Sequence, residues 1–270
     1  MSSQILVGRR ALAIYFALAF AIAWIGSFAA VGPKFLAGEP IEFSDGGLMA
    51  LAMLGAPFTA GILMTYLANR KSGLSELIAG MKKYQVAGRW YLPLLIFPIL
   101  LLVVAVLLSI FVDPEMAPTF VVMGFLAGPL AGVLEETGWT GFAYPTMRKK
   151  VSALSAAISL GIIHGIWHFV VWYLSQSGDL GIYWWPYFFG FCLHLVALRV
   201  LIVWVFENTG SLLLAMLMHA SSTGFFMILI PTAMAPVNWV IYYNVYGVVL
   251  CIVAAFVAMK YGKALRGKST

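Results

Sequence analysis

The sequence predicts an all-α membrane protein, a polytopic bundle of about eight transmembrane helices with both termini in the cytoplasm. Three observations predict it. Of the 270 residues 63% are hydrophobic and only 10% charged, against roughly 25% charged in a soluble domain, and the mean hydropathy is +0.97. Apolar runs of about twenty residues, long enough to cross a hydrocarbon core of ~30 Å, recur along the whole chain. The basic residues collect in alternate gaps between those runs, the pattern of cytoplasmic loops.

Taken in order, the spans are drawn at 11–31, 46–68, 90–112, 117–142, 152–175, 182–206, 210–230 and 238–259. The first is too long for a signal-peptide core and lacks a small-residue cleavage pattern, so it reads as a membrane helix. Arg9 and Arg10 precede it, and Lys34, Glu39, Glu42 and Asp45 follow it. Arg70, Lys71, Lys82, Lys83 and Arg89 follow the second span, and Asp113 and Glu115 the third. Arg148, Lys149 and Lys150 come after the fourth, Asp179 alone after the fifth, and Lys260, Lys263, Arg266 and Lys268 occupy the tail. Fourteen of the sixteen Lys and Arg thus fall on one side, with Lys34 on the other and Arg199 inside a span. The 69–89 loop carries Leu74, Leu77, Ile78 and Met81 at i, i+3, i+4 and i+7, one face of a helix; beside Lys71, Lys82 and Lys83 it predicts a short interfacial helix. No linker, low-complexity tract or half-to-half repeat is visible, so the chain reads as a single integral-membrane domain, 1–270, in a multi-pass cytoplasmic membrane.

Composition also excludes function classes. Two cysteines, Cys192 and Cys251, both in apolar runs, rule out a disulfide framework and a Cys-rich zinc site. The net charge of +6 lies between spans, so it argues for a lipid bilayer and against nucleic acid as partner.

The chemistry concentrates on adjacent carboxylates. Glu135 and Glu136 follow nineteen uncharged residues and precede eleven more, and carboxylates in hydrocarbon are rare and usually functional. Three spans carry polar pairs at i, i+4, on one helical face: Glu136 with Thr140, His164 with His168, and His219 with Thr223. Adjacent helical residues point about 100° apart, so one glutamate is read as catalytic and the other as structural. His194 and His164 read as hydrogen-bonded core histidines, Tyr183, Trp184 and Trp185 as an interfacial belt, and Gly128, Pro129, Gly132, Gly138 and Gly141 as sites of close packing or a kink. A carboxylate beside an imidazole can deprotonate water while a second imidazole stabilises an oxyanion. Two histidines and a glutamate are equally the ligand set of a catalytic zinc, although no HExxH signature is present. Residue types alone leave both mechanisms open.

The stretch Glu135-Glu-Thr-Gly-Trp-Thr-Gly-Phe142 with Pro145 resembles the first motif, Glu-Glu-x-x-x-Arg, of the CAAX prenyl endopeptidase and bacteriocin-processing family of intramembrane proteases. Gly161-Ile-Ile-His-Gly-Ile-Trp-His168 resembles the second, an aromatic four positions before a His. Thr209-Gly-Ser-Leu-Leu running on to His219-Ala220 resembles the third, a His followed four residues later by Asn. The resemblance spans about 129–223, within a motif-bearing core of about 117–230. It implies an endopeptidase acting on a membrane-associated peptide or protein near the cytosolic face. Glu135 would activate water, His168 would assist, His219 would bind the oxyanion and Glu136 would support. If a metal, such as zinc, is used, Glu135, His168 and His219 would hold it; otherwise no cofactor is implied.

Two departures bear on activity. The motif's Arg is Thr140 here, which leaves Arg199 as the intramembrane cation available to Glu136. The motif's Asn is Thr223, which keeps a hydroxyl and loses the amide; as a lesser change, the usual aromatic is His164, which could add a ligand or a proton carrier. Rival readings are a catalytically impaired scaffold of the same fold and a proton-coupled transporter. Counted from the loops, His168 lies eighteen residues past Lys150 and His219 eleven past Asn208, roughly a 10 Å difference in depth at 1.5 Å per residue. A site using both requires the fifth helix to start outside the membrane, tilt or follow an interfacial stretch.

Overall fold

The computed structural model describes residues 9–41, 43–231 and 233–267; Glu42 and Lys268, counted among the loop charges, lie outside them. Every regular element in it is helical: α1 (Arg9–Ala37), α2 (Phe43–Met81), α3 (Ile96–Phe111), α4 (Gly124–Gly138), α5 (Tyr144–Arg148), α6 (Ala153–Trp167), α7 (Phe169–Leu180), α8 (Trp184–Thr209), α9 (Leu212–Leu229) and α10 (Pro236–Tyr261), with short 3-10 turns at Gly88–Leu95, Pro114–Met116 and Gly181–Tyr183 and a π turn at Trp139–Ala143. Six helical stretches are long and apolar enough to cross a membrane: Arg10–Ala37, Ser44–Met81, Gly88–Phe111, Phe169–Thr209, Leu212–Leu229 and Pro236–Tyr261. α4 and α6, with 15 residues each, cover roughly 22 Å and fall short of a full span alone. The fourth predicted span therefore begins at Gly124 rather than 117. The fifth divides at His168, which ends α6 and starts α7.

Contacts between distant residues identify the two ends of the bundle. At one, the Ser211 hydroxyl donates to the Lys83 carbonyl (2.5 Å), the Leu154 amide to Lys263 (3.1 Å), and Arg148 and Arg266 both pair with Glu207 (3.3 and 2.9 Å). This is the basic end. At the other, Asn238 donates to Asp113 (3.0 Å) and Glu115 (3.2 Å), and Thr119 to the Ile230 carbonyl (2.6 Å).

Helix α2 carries two of the predicted elements. It runs as the second span, then turns at Arg70, whose φ of 54° is unusual for a residue with a Cβ, and continues as the amphipathic segment 71–81. Leu77 is buried there, Leu74 and Met81 are half-buried and Ile78 is exposed, so the inward face is narrower than the sequence pattern.

Close packing by glycine sets the interior. Gly124, Gly128 and Gly132 form one stripe of α4 against α9: a Cβ on Gly128 would lie 2.5 Å from the Ala220 carbonyl oxygen, and one on Gly132 2.3 Å from that of Met216. Small residues at this spacing let membrane helices approach backbone to backbone. On α6, Gly161 does the same against α8, where a Cβ would meet the Val196 Cα at 2.6 Å. The predicted aromatic belt is split: Trp185 is exposed, whereas Trp184 is buried and stacks on Phe188 at 5.0 Å. The reason is its position opening α8, where it turns inward onto Phe169.

Candidate active site

The glycine stripe of α4 advances in steps of four, 124, 128, 132, and the next two positions are Glu136 and Thr140. The face that packs on α9 thus delivers Glu136 to His219, whose Nδ1 donates to Glu136 Oε1 at 2.6 Å. Gly161 brings α6 onto α8 and so sets His164 against Arg199, one guanidinium N–H reaching His164 Nδ1 at 3.2 Å. Close packing and polar cluster are one arrangement.

Glu136 is saturated. Arg199 grips it with two parallel bonds of 2.7 Å each, one to each oxygen. His219 adds a third bond to Oε1, and the Thr140 hydroxyl adds a fourth, a short one, to Oε2. Thr140 in turn accepts a 3.4 Å bond from Arg199. Both charged side chains are 0% exposed, a burial made tolerable by this bidentate geometry, although the Arg199 Nε has no partner among the described residues. The counter-ion read as Arg199 is therefore present, supplied from α8 across the interface.

Glu135 is different. Its Oε2 accepts from Trp139 Nε1 (3.2 Å) and lies 2.7 Å from His164 Nε2, while Oε1 has no hydrogen-bond partner among the described residues. Arg199 can only donate, so His164 Nδ1 accepts and Nε2 carries the proton that it gives to Glu135. His168 Nδ1 lies 3.0 Å from the His164 carbonyl, which can only accept; the proton sits on Nδ1 and the Nε2 lone pair is left for another group. His219 Nε2 faces Glu135 Oε2 at 3.9 Å.

The structure differs from the simplest sequence reading at three places. Of the two readings of His164, core histidine and added ligand or proton carrier, its place in the cluster fits the second: counted from Lys150 it lies four residues less deep than His168, roughly 6 Å, and its Nε2 lies 2.7 Å from Glu135. The donor group that comes together is Glu135, His164 and His168, with ligating atoms within 4.8 Å of one another, where the resemblance implied Glu135, His168 and His219. This group could hold a metal ion. Thr223 is half-buried and takes part in none of the cluster's hydrogen bonds. Its neighbour Ser222 bonds instead to His194 (2.9 Å), which lies among Phe191, Phe226 and Tyr246 as a core histidine should.

Trp139 is a contributor that the sequence reading left out, although its i, i+4 spacing from Glu135 puts it on one helical face with that carboxylate. It opens the π turn, where the Tyr144 amide reaches back five residues to the Trp139 carbonyl. Single π turns inside helices are frequent at functional sites. The Trp139 indole N–H meets Glu135 one α-helical turn back, and the Trp139 amide bonds to the Glu135 carbonyl.

A cavity of about 410 Å³ leads inward from the basic end. Asn69, Glu76 and Lys149 line its outer part, the amphipathic segment forms one wall through Leu77, and Thr140 and Gly141 lie at its inner part. Thr140 touches both Glu136 and Arg199, so the cavity ends against the cluster. From the basic end the cluster lies eight residues into α9 at His219 and ten into α8 at Arg199, roughly 12–15 Å deep.

Residues 117–225 match the family model described as type II CAAX prenyl endopeptidase, Rce1-like. Over 93 residues the chain is 30% identical to the CAAX prenyl protease 2 of Methanococcus maripaludis, an alignment covering 33% of this chain and 34% of that protein. The shared stretch is thus about a third of the curated relative's length. The matched segment holds all three motifs, and the resemblance they carry is the one that both comparisons return.

Proposed function

We propose that this chain is an intramembrane endopeptidase in which Glu135 activates water for attack on a peptide bond, at a site entered from the cytosolic face. The observation that carries this reading is the unequal treatment of the two carboxylates. Glu136 spends every acceptor on Arg199, His219 and Thr140, whereas Glu135 keeps one oxygen open beside the free Nε2 of His168. Glu135 Oε1 takes a proton from water, the hydroxide adds to the scissile carbonyl carbon, and His219, as an imidazolium whose Nδ1 proton stays with Glu136, supplies a hydrogen bond from Nε2 to the resulting oxyanion. The C–N bond then breaks as Glu135 returns the proton to the leaving amine. His164 and Trp139 orient the base, Arg199 and Glu136 orient His219, and Thr140 supports Glu136. The charge asymmetry supports a cytoplasmic-membrane protein with both termini inside, so that the cavity at the basic end opens to the cytosol.

Ligation of a metal by His164 is disfavoured by hydrogen bonding. A histidine that ligates through Nε2 carries its proton on Nδ1 and donates it to a carboxylate or carbonyl. His164 Nδ1 instead faces an Arg199 N–H at 3.2 Å, so that tautomer would set two donors against each other. The reaction is read as glutamate-driven, and membrane-associated peptides or proteins as substrates, prenylated or not.

A second reading, a scaffold that binds membrane partners without cleaving them, is favoured by one observation: Thr223 adds no donor to the cluster. Release of peptides from a membrane-anchored library by purified protein in liposomes decides between the two. Cleavage that is abolished by Glu135→Gln and insensitive to chelator supports the glutamate mechanism. Chelator-sensitive cleavage replaces it with a metal mechanism, and no cleavage by folded protein favours the scaffold.

A further inference from the structure

A second recess, of about 570 Å³, lies at the basic end and shares no lining residue with the cavity that reaches Thr140. Three aromatic side chains run through it in a row: Trp90 and Trp204 with ring centroids 5.3 Å apart, then Trp204 and Tyr261 at 5.4 Å. A cation stands at each end of the row. The Arg89 guanidinium lies 5.8 Å from the Trp90 ring, and the Lys260 ammonium 5.5 Å from the Tyr261 ring. Both are exposed, and neither has a carboxylate partner among the described residues. The other basic side chains of this end include Arg148 and Arg266, which are committed to Glu207. Below the row, Leu92, Pro93 and Ile96 complete the wall, and the exposed Leu95 and Ile99 continue it along α3 away from the basic end.

We propose that this recess binds one anionic phospholipid of the surrounding bilayer. The phosphate and headgroup lie between Arg89 and Lys260, over the aromatic row, and an acyl chain runs down past Leu92 and Ile96. Charge selects the headgroup: two cations held in place by aromatic faces, without carboxylates to neutralise them, favour a net negative ligand over a zwitterionic one. Depth selects a lipid. Trp and Tyr sit at the level of the headgroups, and an apolar wall beginning directly beneath them matches a molecule whose charged end is joined to hydrocarbon. A soluble phosphate would use the cations and leave that wall uncovered.

The test is lipid titration of the delipidated full chain by native mass spectrometry, comparing phosphatidylglycerol with phosphatidylcholine. Each basic residue near a bilayer surface contributes about fivefold to anionic-lipid affinity, so wild type should prefer the first bound phosphatidylglycerol by roughly 25-fold. The double variant Arg89→Gln/Lys260→Gln should reduce that preference to about twofold, whereas Lys149→Gln/Lys150→Gln, which removes two cations of the same end outside the recess, should leave it intact. Absence of a preference in wild type overturns the proposal. Equal losses in the two double variants also overturn it, because they indicate a diffuse basic surface. Displacement of the lipid by glycerol phosphate at equal concentration overturns the lipid assignment. None of these readouts depends on whether the chain cleaves peptides.

Discussion

Arg199→Met is the perturbation with the largest expected consequence, although Arg199 lies outside every recognised motif. The substitution removes the two 2.7 Å bonds to Glu136 and the 3.2 Å bond to His164 in one step. It leaves Glu136, which is 0% exposed, without a countercharge. Breaking one side of a buried ion pair costs about 3–5 kcal/mol. For a chain of this size that is roughly 10 °C in Tm, at about 2–3 °C per kcal/mol. Thermal unfolding in detergent, followed by tryptophan fluorescence, reads it directly. Arg199→Lys keeps the charge but not the fork, and should fall between. Two further variants separate charge from shape. Glu136→Gln/Arg199→Met removes both partners and should recover about half of the loss or more, the signature of a coupled pair. Arg199→Met/Thr140→Arg restores a guanidinium four residues after Glu136 and should recover part of it too. An Arg199→Met protein that unfolds within about 2 °C of wild type would refute the reasoning, because a buried carboxylate without its partner cannot be that inexpensive.

Other outcomes follow from the same geometry. Glu135→Gln should lower peptide release by about 10²–10⁴-fold, the usual contribution of a general base, with little change in Tm, since its Oε1 bonds to no protein group. Trp139→Phe should keep the ring packing against Trp167 and His164 while losing the indole donor to Glu135; a drop in kcat with KM unchanged is expected in steady-state cleavage. Gly128→Val should separate α4 from α9 and lower Tm by more than Gly55→Val, since a Cβ at Gly128 meets backbone at 2.5 Å and one at Gly55 meets nothing within 4 Å. Asp113 accepts from the Glu115 amide and from Asn238, and these bonds lower its pKa below the ordinary 3.8. Its contribution is therefore full above that value and is lost as pH falls through the lowered one. The Tm difference between wild type and Asp113→Asn should be present at about pH 6 and fade as the pH falls below 3.8.

Much of this arrangement was legible in the sequence. The carboxylate pair, the alternating loop charge, the amphipathic segment after Arg70 and the need for Arg199 to serve Glu136 all follow from residue types and spacing. The depth mismatch between His168 and His219 called for a start outside the membrane, a tilt or an interfacial stretch, and the division of the fifth span at His168 was not among the expectations. What spacing could not show was rotation about the helix axes. His164 rather than His168 meets Glu135 because Gly161 fixes how α6 turns on α8, a contact between segments far apart in the chain. The start of α4 was misplaced for a related reason: the residues before Gly124 are apolar enough to prolong a span, but Thr119 and Val121 bond instead to the end of α9.

The ion pair also has a consequence for how the chain is built. Glu136 and Arg199 are 63 residues apart, so α4 emerges during synthesis well before its countercharge exists. A charged residue at mid-membrane opposes insertion by about 2.5–3.5 kcal/mol, and α4, with 15 residues and two carboxylates, has little apolar length to set against that. Stable residence of α4 in the bilayer is therefore tied to the arrival of α8. A chain halted before Arg199 would present two unmatched glutamates, a mark by which an unfinished protein differs from a finished one. The contact that orders the reactive centre thus also serves as a checkpoint on completion.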